Sequence, residues 1–178
     1  PYFIAWTTTP WTLASNVALC VGPKIDYVAI ETYNLYDGEP MTLVMAESRI
    51  SAYLNPEQEV KEGELGAFDK ENKICPWRIV DRMKGADLEG LHYMQLMPWV
   101  KPCEKIGDFS AKFVNDYAEK HADKVFTSED GRDRFVEMDS EAFRVILGDY
   151  VTTEDGTGIV HIAPTFGADD AKVALDAK

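Results

Sequence analysis

Basic residues are in short supply: 18 Lys and Arg stand against 31 Asp and Glu in 178 residues, a formal net charge of −13. A free-standing, non-specific nucleic-acid binder neutralises phosphates with clustered Lys and Arg. That class is excluded, whereas RNA held mainly by another domain is not. Cysteine is scarce too, with Cys20, Cys75 and Cys103 far apart. This suits a reducing, cytoplasmic compartment and no disulfide framework. The three histidines, His92, His121 and His161, have no His or Cys neighbour at ligand spacing. A structural zinc site takes four such ligands, so no metal is expected. No apolar run approaches the ~20 residues of a membrane span, and no basic–apolar–small leader opens the chain. Two catalytic templates are also missing, the G-x-x-x-x-G-K-[ST] phosphate loop and the G-x-S-x-G elbow, and "DGTG" is too short for a dinucleotide fingerprint.

What remains is 46% hydrophobic and 28% charged, the composition of a globular protein. The length fits one domain with a full core. The first residues already read as strand and the last stop inside a helical pattern, so a single domain over 1–178, cut from a larger protein, is expected.

Short strands dominate the pattern. Tyr2–Thr8, Val17–Val21, Tyr27–Tyr33, Met41–Ala46 and Trp77–Met83 are rich in β-branched and aromatic residues or alternate in polarity. Leu91–Leu96, Phe143–Thr153 and Gly158–Ile162 read the same way. Tyr27–Tyr33 and Met41–Ala46 flank "YDGEP" and form a hairpin. Glu47–Leu54 is a short helix, 55–75 a loop, and a helix begins near Ala168. Residues 98–134 read as a surface insertion. Within it Phe109, Phe113 and Tyr117 recur every four residues, the mark of an amphipathic helix. No strand–helix alternation supports a doubly wound sheet, so the class is mainly β with peripheral helices, a barrel or sandwich core.

Two stretches carry candidate chemistry. "WTTTPWT" places Thr7 and Thr9 on one face of a strand and Thr8 on the other. Where Pro10 breaks the strand, three hydroxyls can converge on one spot. "EDGTGIVHIAPTFGADD" runs from a glycine-flanked turn through a strand ending at His161 to Asp169 and Asp170 in a helical first turn. Read alone, each stretch also has a structural account. Threonine favours strands, aspartate compensates the helix dipole, and a half-buried histidine is common.

Taken together, "WTTTPWTLASN" and "GTGIVHIAPTFGADD" resemble the two signature segments of the editing insertion of isoleucyl-tRNA synthetases. They bracket almost the whole chain, in the family's order. The sister editing domains for valine and leucine carry arginine, proline and an acid from the third threonine onward. Here Thr9, Pro10 and Trp11 stand there, which favours the isoleucyl type. The chain departs from the usual pattern at Ala14, Thr165 and Ala168. It lacks the "HIGH" and "KMSKS" signatures of the ATP site, so ATP belongs to an absent aminoacylation core and no cofactor is implied.

The resemblance implies a β-barrel-like core and an aminoacyl-tRNA deacylase. Its substrate is the 3′ end of isoleucine tRNA carrying valine, with valyl-adenylate as a second candidate and the rest of the synthetase as partner. It implies Thr7, Thr8, Thr9 and Asp170 as catalytic. It implies His161, Trp6, Trp11, Gly158 and Asp170 as substrate-binding. Asp170 takes the substrate ammonium and His161 limits side-chain size. Trp6 and Trp11 either support the pocket or face the terminal adenosine. The competing class is a non-catalytic insertion that only docks tRNA or a partner.

Overall fold

The computed structural model describes residues 1–97, 102–108, 110, 112–137 and 142–177. The chain divides into two compact units, one of Pro1–His92 with Arg144–Lys178 and one of Tyr93–Phe143.

The first unit holds two open sheets. One has the order β1-β4-β3-β5, from β1 (Tyr2–Phe3), β3 (Asp26–Tyr33), β4 (Pro40–Ala46) and β5 (Arg78–Lys84). The expected hairpin is its centre: β3 pairs antiparallel with β4 from Tyr27↔Ala46 to Tyr33↔Pro40. Alternation places Val28 and Ile30 on one face of β3, where Met45, Ile50 and Trp77 complete a core cluster. The second sheet has the order β10-β2-β9, from β2 (Ala18–Val21), β9 (Arg144–Leu147) and β10 (Ile159–Ile162). β2 is its middle strand and is buried at all four residues. That explains its unbroken apolar run, since a strand covered on both faces has no polar side. The helix α1 (Ile50–Tyr53) lies where a short helix was expected, and α3 (Ala168–Ala177) starts at Ala168 as read from sequence.

The mainly β class with few helices holds. Among the described residues the sheets are of four, three and three strands and none closes into a complete barrel. The first strand explains part of this. Ile4 N–H donates to Val44 O at 3.1 Å, but Trp6 N–H donates to Ile159 O at 3.3 Å. The chain changes sheets between them, so only Tyr2–Phe3 of the expected Tyr2–Thr8 is strand. Pro10 then sits in the first turn of a 3-10 helix, Pro10–Ser15, a position that needs no backbone donor. Leu91–Leu96 forms no strand, only a bridge from His92 to Arg144.

The two sheets of this unit meet tightly at Gly158. Ala46 N–H donates to Thr157 O at 2.9 Å. Gly158 has φ +75°, and a Cβ on it would sit 2.5 Å from the Ala46 Cβ. The Tyr27 hydroxyl, fully buried, accepts from Gly22 N–H and donates to Gly158 O. Gly158→Ala is expected to cost about 2–5 kcal/mol, from left-handed backbone strain plus overpacking. A urea unfolding midpoint measures it, and an unchanged midpoint would contradict the packing.

The second unit is a sheet of order β6-β8-β7, from β6 (Cys103–Ile106), β7 (Val125–Thr127) and β8 (Arg134–Glu137), with α2 (Lys112–Lys120). The amphipathic helix is present, but its stripe is shifted by one residue. Val114 and Ala118 are the buried pair, packed with Val136, while Phe113 is 60% exposed. Residues at i and i+4 share one face of a helix, which turns Val114 and Ala118 together into the cluster. Tyr117 packs at the edge of that cluster, and Phe109 lies outside the described residues.

Candidate active site

Both singled-out stretches line one cleft of about 390 Å³. Trp6, Thr7, Thr8, Thr9, Trp11 and Thr12 come from the first, and Val160, His161, Phe166, Gly167 and Asp170 from the second. The bridge between Trp6 and Val160 holds the two stretches side by side.

The threonines are not laid out as a strand. Thr9 N–H donates to Thr7 Oγ1 at 3.0 Å, a tight local turn. Thr7 Oγ1 and Thr9 Oγ1 are 3.4 Å apart, and Thr9 Oγ1 and Thr12 Oγ1 are 3.3 Å apart. Thr12 Oγ1 donates to Thr9 O at 2.8 Å and lies 2.9 Å from His161 Nε2. Thr7, Thr9 and Thr12 thus form one connected hydroxyl chain ending on the imidazole. Thr8 is exposed and takes no part in that chain.

Thr12 is the residue that sequence reading missed. It falls inside the quoted stretch, but a lone threonine after a tryptophan carries no signal. Its importance comes from the 3-10 turn, where the Thr12 N–H also bonds Thr9 O at 3.0 Å.

Asp170 occupies the first turn of α3. Its Oδ2 accepts the Ala163 N–H at 2.9 Å. This ties the start of the helix back to the end of β10. The intervening loop is closed by Phe166 N–H on Ala163 O. Asp170 is partly buried and Asp169 exposed, so only Asp170 belongs to the cleft. Its charge is felt by His161, Cys20 and Tyr150. Burial pushes the Cys20 thiol up to about 11 and raises Tyr150, so Cys20 is no ready nucleophile.

His161 is 7% exposed, and its Nδ1 is buried with no hydrogen-bond partner. Burial lowers its pKa below the ordinary 6.5, and the Asp170 charge opposes that shift only in part. The imidazole is therefore neutral at pH 7.

Trp6 and Trp11 stand at 46% and 71% exposure, with Phe166 at 59%, so the cleft has an aromatic rim. Trp6 packs on Gly156, where a Cβ would lie 3.1 Å from its ring. Arg49 pins that turn, donating to Gly156 O at 2.7 Å and to Glu154 O at 3.1 Å. Gly158 does not line the cleft. Its positive φ and its close approach to Ala46 place it where two sheets join. No group of three or more His, Cys, Asp or Glu poised to hold a metal occurs among the described residues. A second cleft, of about 370 Å³ around Glu31, Thr32 and Met41, contains none of the predicted site residues.

No family model matches the chain. It is 52% identical over 174 residues to the isoleucine–tRNA ligase of Bacteroides thetaiotaomicron, covering 98% of this chain and 13% of that protein. The Porphyromonas gingivalis isoleucine–tRNA ligase is 44% identical, covering 97% of this chain and 12% of that protein. The cytoplasmic enzyme of Arabidopsis thaliana is 34% identical over the same shares. The crystal structure of GlLeuRS-CP1 is 14% identical with a TM-score of 0.49, covering 98% of this chain and 44% of that one. The chain is thus a segment of the aminoacyl-tRNA synthetase class. It belongs with the isoleucine–tRNA ligases, which it matches as a segment along 98% of its own length. It spans about one-eighth of the length of the curated relatives it matches.

Proposed function

We propose that this chain hydrolyses valine wrongly esterified to isoleucine tRNA. Water adds to the ester carbonyl, the bond to the ribose oxygen breaks, and free valine leaves. The observation that carries this reading is the convergence of both stretches on one cleft, with Thr12 and His161 in contact across 149 residues of sequence.

The cleft chemistry suits the task. One Asp170 oxygen is committed to Ala163, which leaves the other to accept the substrate ammonium in a charge-assisted bond. The exposed Thr8 hydroxyl is free to orient water, while Thr7 and Thr9 are tied into the wall. The neutral His161 imidazole narrows the side-chain pocket. Trp6 and Trp11 supply an apolar rim that fits the terminal adenosine. An aminoacyl ester is already activated, so positioning a water and stabilising the developing oxyanion suffice without a covalent nucleophile.

The net charge of −13 suits a domain that receives only the single-stranded tRNA end in the cytoplasm. The tRNA body then rests on the remainder of the synthetase. Valyl-adenylate fits the same recognition through its ammonium and adenosine.

The decisive assay is deacylation of valyl-tRNA made from isoleucine tRNA. Release of valine supports the reading. Binding of the tRNA end without release would replace it with the docking insertion. No metal takes part, so deacylation is expected to survive excess chelator. Loss of activity that added zinc restores would overturn this.

A further inference from the structure

Thr12 and His161 are 6% and 7% exposed and face each other at 2.9 Å. Their hydrogen-bond roles can be counted, because a hydroxyl has one proton and two lone pairs. The Thr12 proton is committed to Thr9 O at 2.8 Å. The Thr12 oxygen is then left to accept, from the Thr9 hydroxyl at 3.3 Å and from the imidazole. His161 Nε2 must therefore carry the ring proton. In the opposite tautomer, Thr12 would release Thr9 O to donate to Nε2. The proton would sit on Nδ1, a buried atom with no partner. Orphaned buried N–H groups are rarer in folded proteins than under-used acceptors.

We infer that Thr12 is a positioning residue that holds His161 in the Nε2–H tautomer and leaves Nδ1 as a buried acceptor without a partner. The backbone carbonyl of Thr9 thus orients the imidazole through one intervening hydroxyl. The consequence for chemistry rests on the proposed function. With Nε2 engaged by Thr12 and Nδ1 buried, the imidazole is fixed in one orientation and exchanges no proton with a ligand, so it meets the substrate by shape.

The test reads the tautomer directly, by long-range proton–nitrogen correlation NMR of the unliganded, nitrogen-15-labelled 178-residue chain. His161 is assigned among the three histidines by comparison with His161→Gln. Wild type is expected to show a protonated Nε2 and an unprotonated Nδ1. Thr12→Ser retains the hydroxyl and is expected to keep that pattern. Thr12→Val is close in shape but cannot accept, so the two tautomers should interconvert and their nitrogen signals average. An Nδ1–H pattern in wild type overturns the inference, as does a Thr12→Val spectrum unchanged from wild type. If Thr12→Val does not fold, the wild-type spectrum alone decides. No tRNA is present, so the outcome is independent of whether valyl-tRNA is hydrolysed.

Discussion

Asp170→Asn is expected to abolish deacylation of valyl-tRNA while leaving the chain folded. The Asp170 carboxylate does two jobs with two oxygens. Oδ2 holds the Ala163 N–H at 2.9 Å, and the other is the ammonium partner in the proposed mechanism. Asparagine keeps one oxygen acceptor for Ala163 and removes the charge. Truncating one partner of a desolvated charge pair costs about 2–5 kcal/mol. A tenfold change per 1.4 kcal/mol makes that roughly 30- to 4,000-fold in kcat/KM. Asp170→Ala should lose activity too, but with about 1–3 kcal/mol of stability, because the Ala163 N–H is orphaned. Asp169→Asn should leave hydrolysis nearly intact. Asp169 is exposed, and neighbouring residues on a helix point about 100° apart. Thermal melts and single-turnover deacylation separate the cases. Equal loss of activity in Asp169→Asn and Asp170→Asn would remove the ammonium role from Asp170.

The cleft was legible in the sequence to the extent that its chemistry is local. Thr7, Thr8 and Thr9 stand out because three adjacent hydroxyls exceed what a strand end needs. Asp170 stands out because a carboxylate in a first helical turn follows directly on "HIAPTFG". Strand positions were readable where burial alternates, as in β3, or where both faces are covered, as in β2. What was hidden depends on long-range pairing. The chain changes sheets between Ile4 and Trp6, and a β-rich run cannot announce which partner each N–H will find. Gly158 stands out in its signature segment, but the sequence does not show that the Ala46 Cβ across from it leaves no room for a side chain. Thr12 matters through its contact with His161, which no spacing rule reveals. In the second unit, β6 and β7 lie within the stretch 98–134 that was read as a surface insertion with one helix, and β8 runs past its end to Glu137. Strands of three or four residues carry too little alternation to be seen.

His161→Ala is expected to keep hydrolysis of valyl-tRNA and to gain hydrolysis of correctly charged isoleucyl-tRNA. The imidazole lines the cleft while its two nitrogens do little that catalysis needs. Nε2 is engaged by Thr12, and Nδ1 is buried without a partner. Burial holds the ring neutral at pH 7. A general base must reach the attacking water, and neither nitrogen is free and solvent-facing. Bulk is therefore its main contribution. One methylene is worth about 1–3 kcal/mol, or 10–200-fold, in an apolar pocket, a range for which isoleucine–tRNA ligases are themselves the standard example. Opening the wall by a truncated imidazole should accordingly raise isoleucyl-tRNA hydrolysis by about 10–200-fold. The change also leaves a cavity in a buried wall, at a cost on the order of 2–5 kcal/mol of stability. The assays should therefore run well below the melting transition of the variant, with valyl- and isoleucyl-tRNA compared on the same preparation. Their ratio cancels any loss of folded protein. A fall in both rates with an unchanged ratio would show that His161 acts in the chemical step or supports the fold, and the size-filter role would be withdrawn.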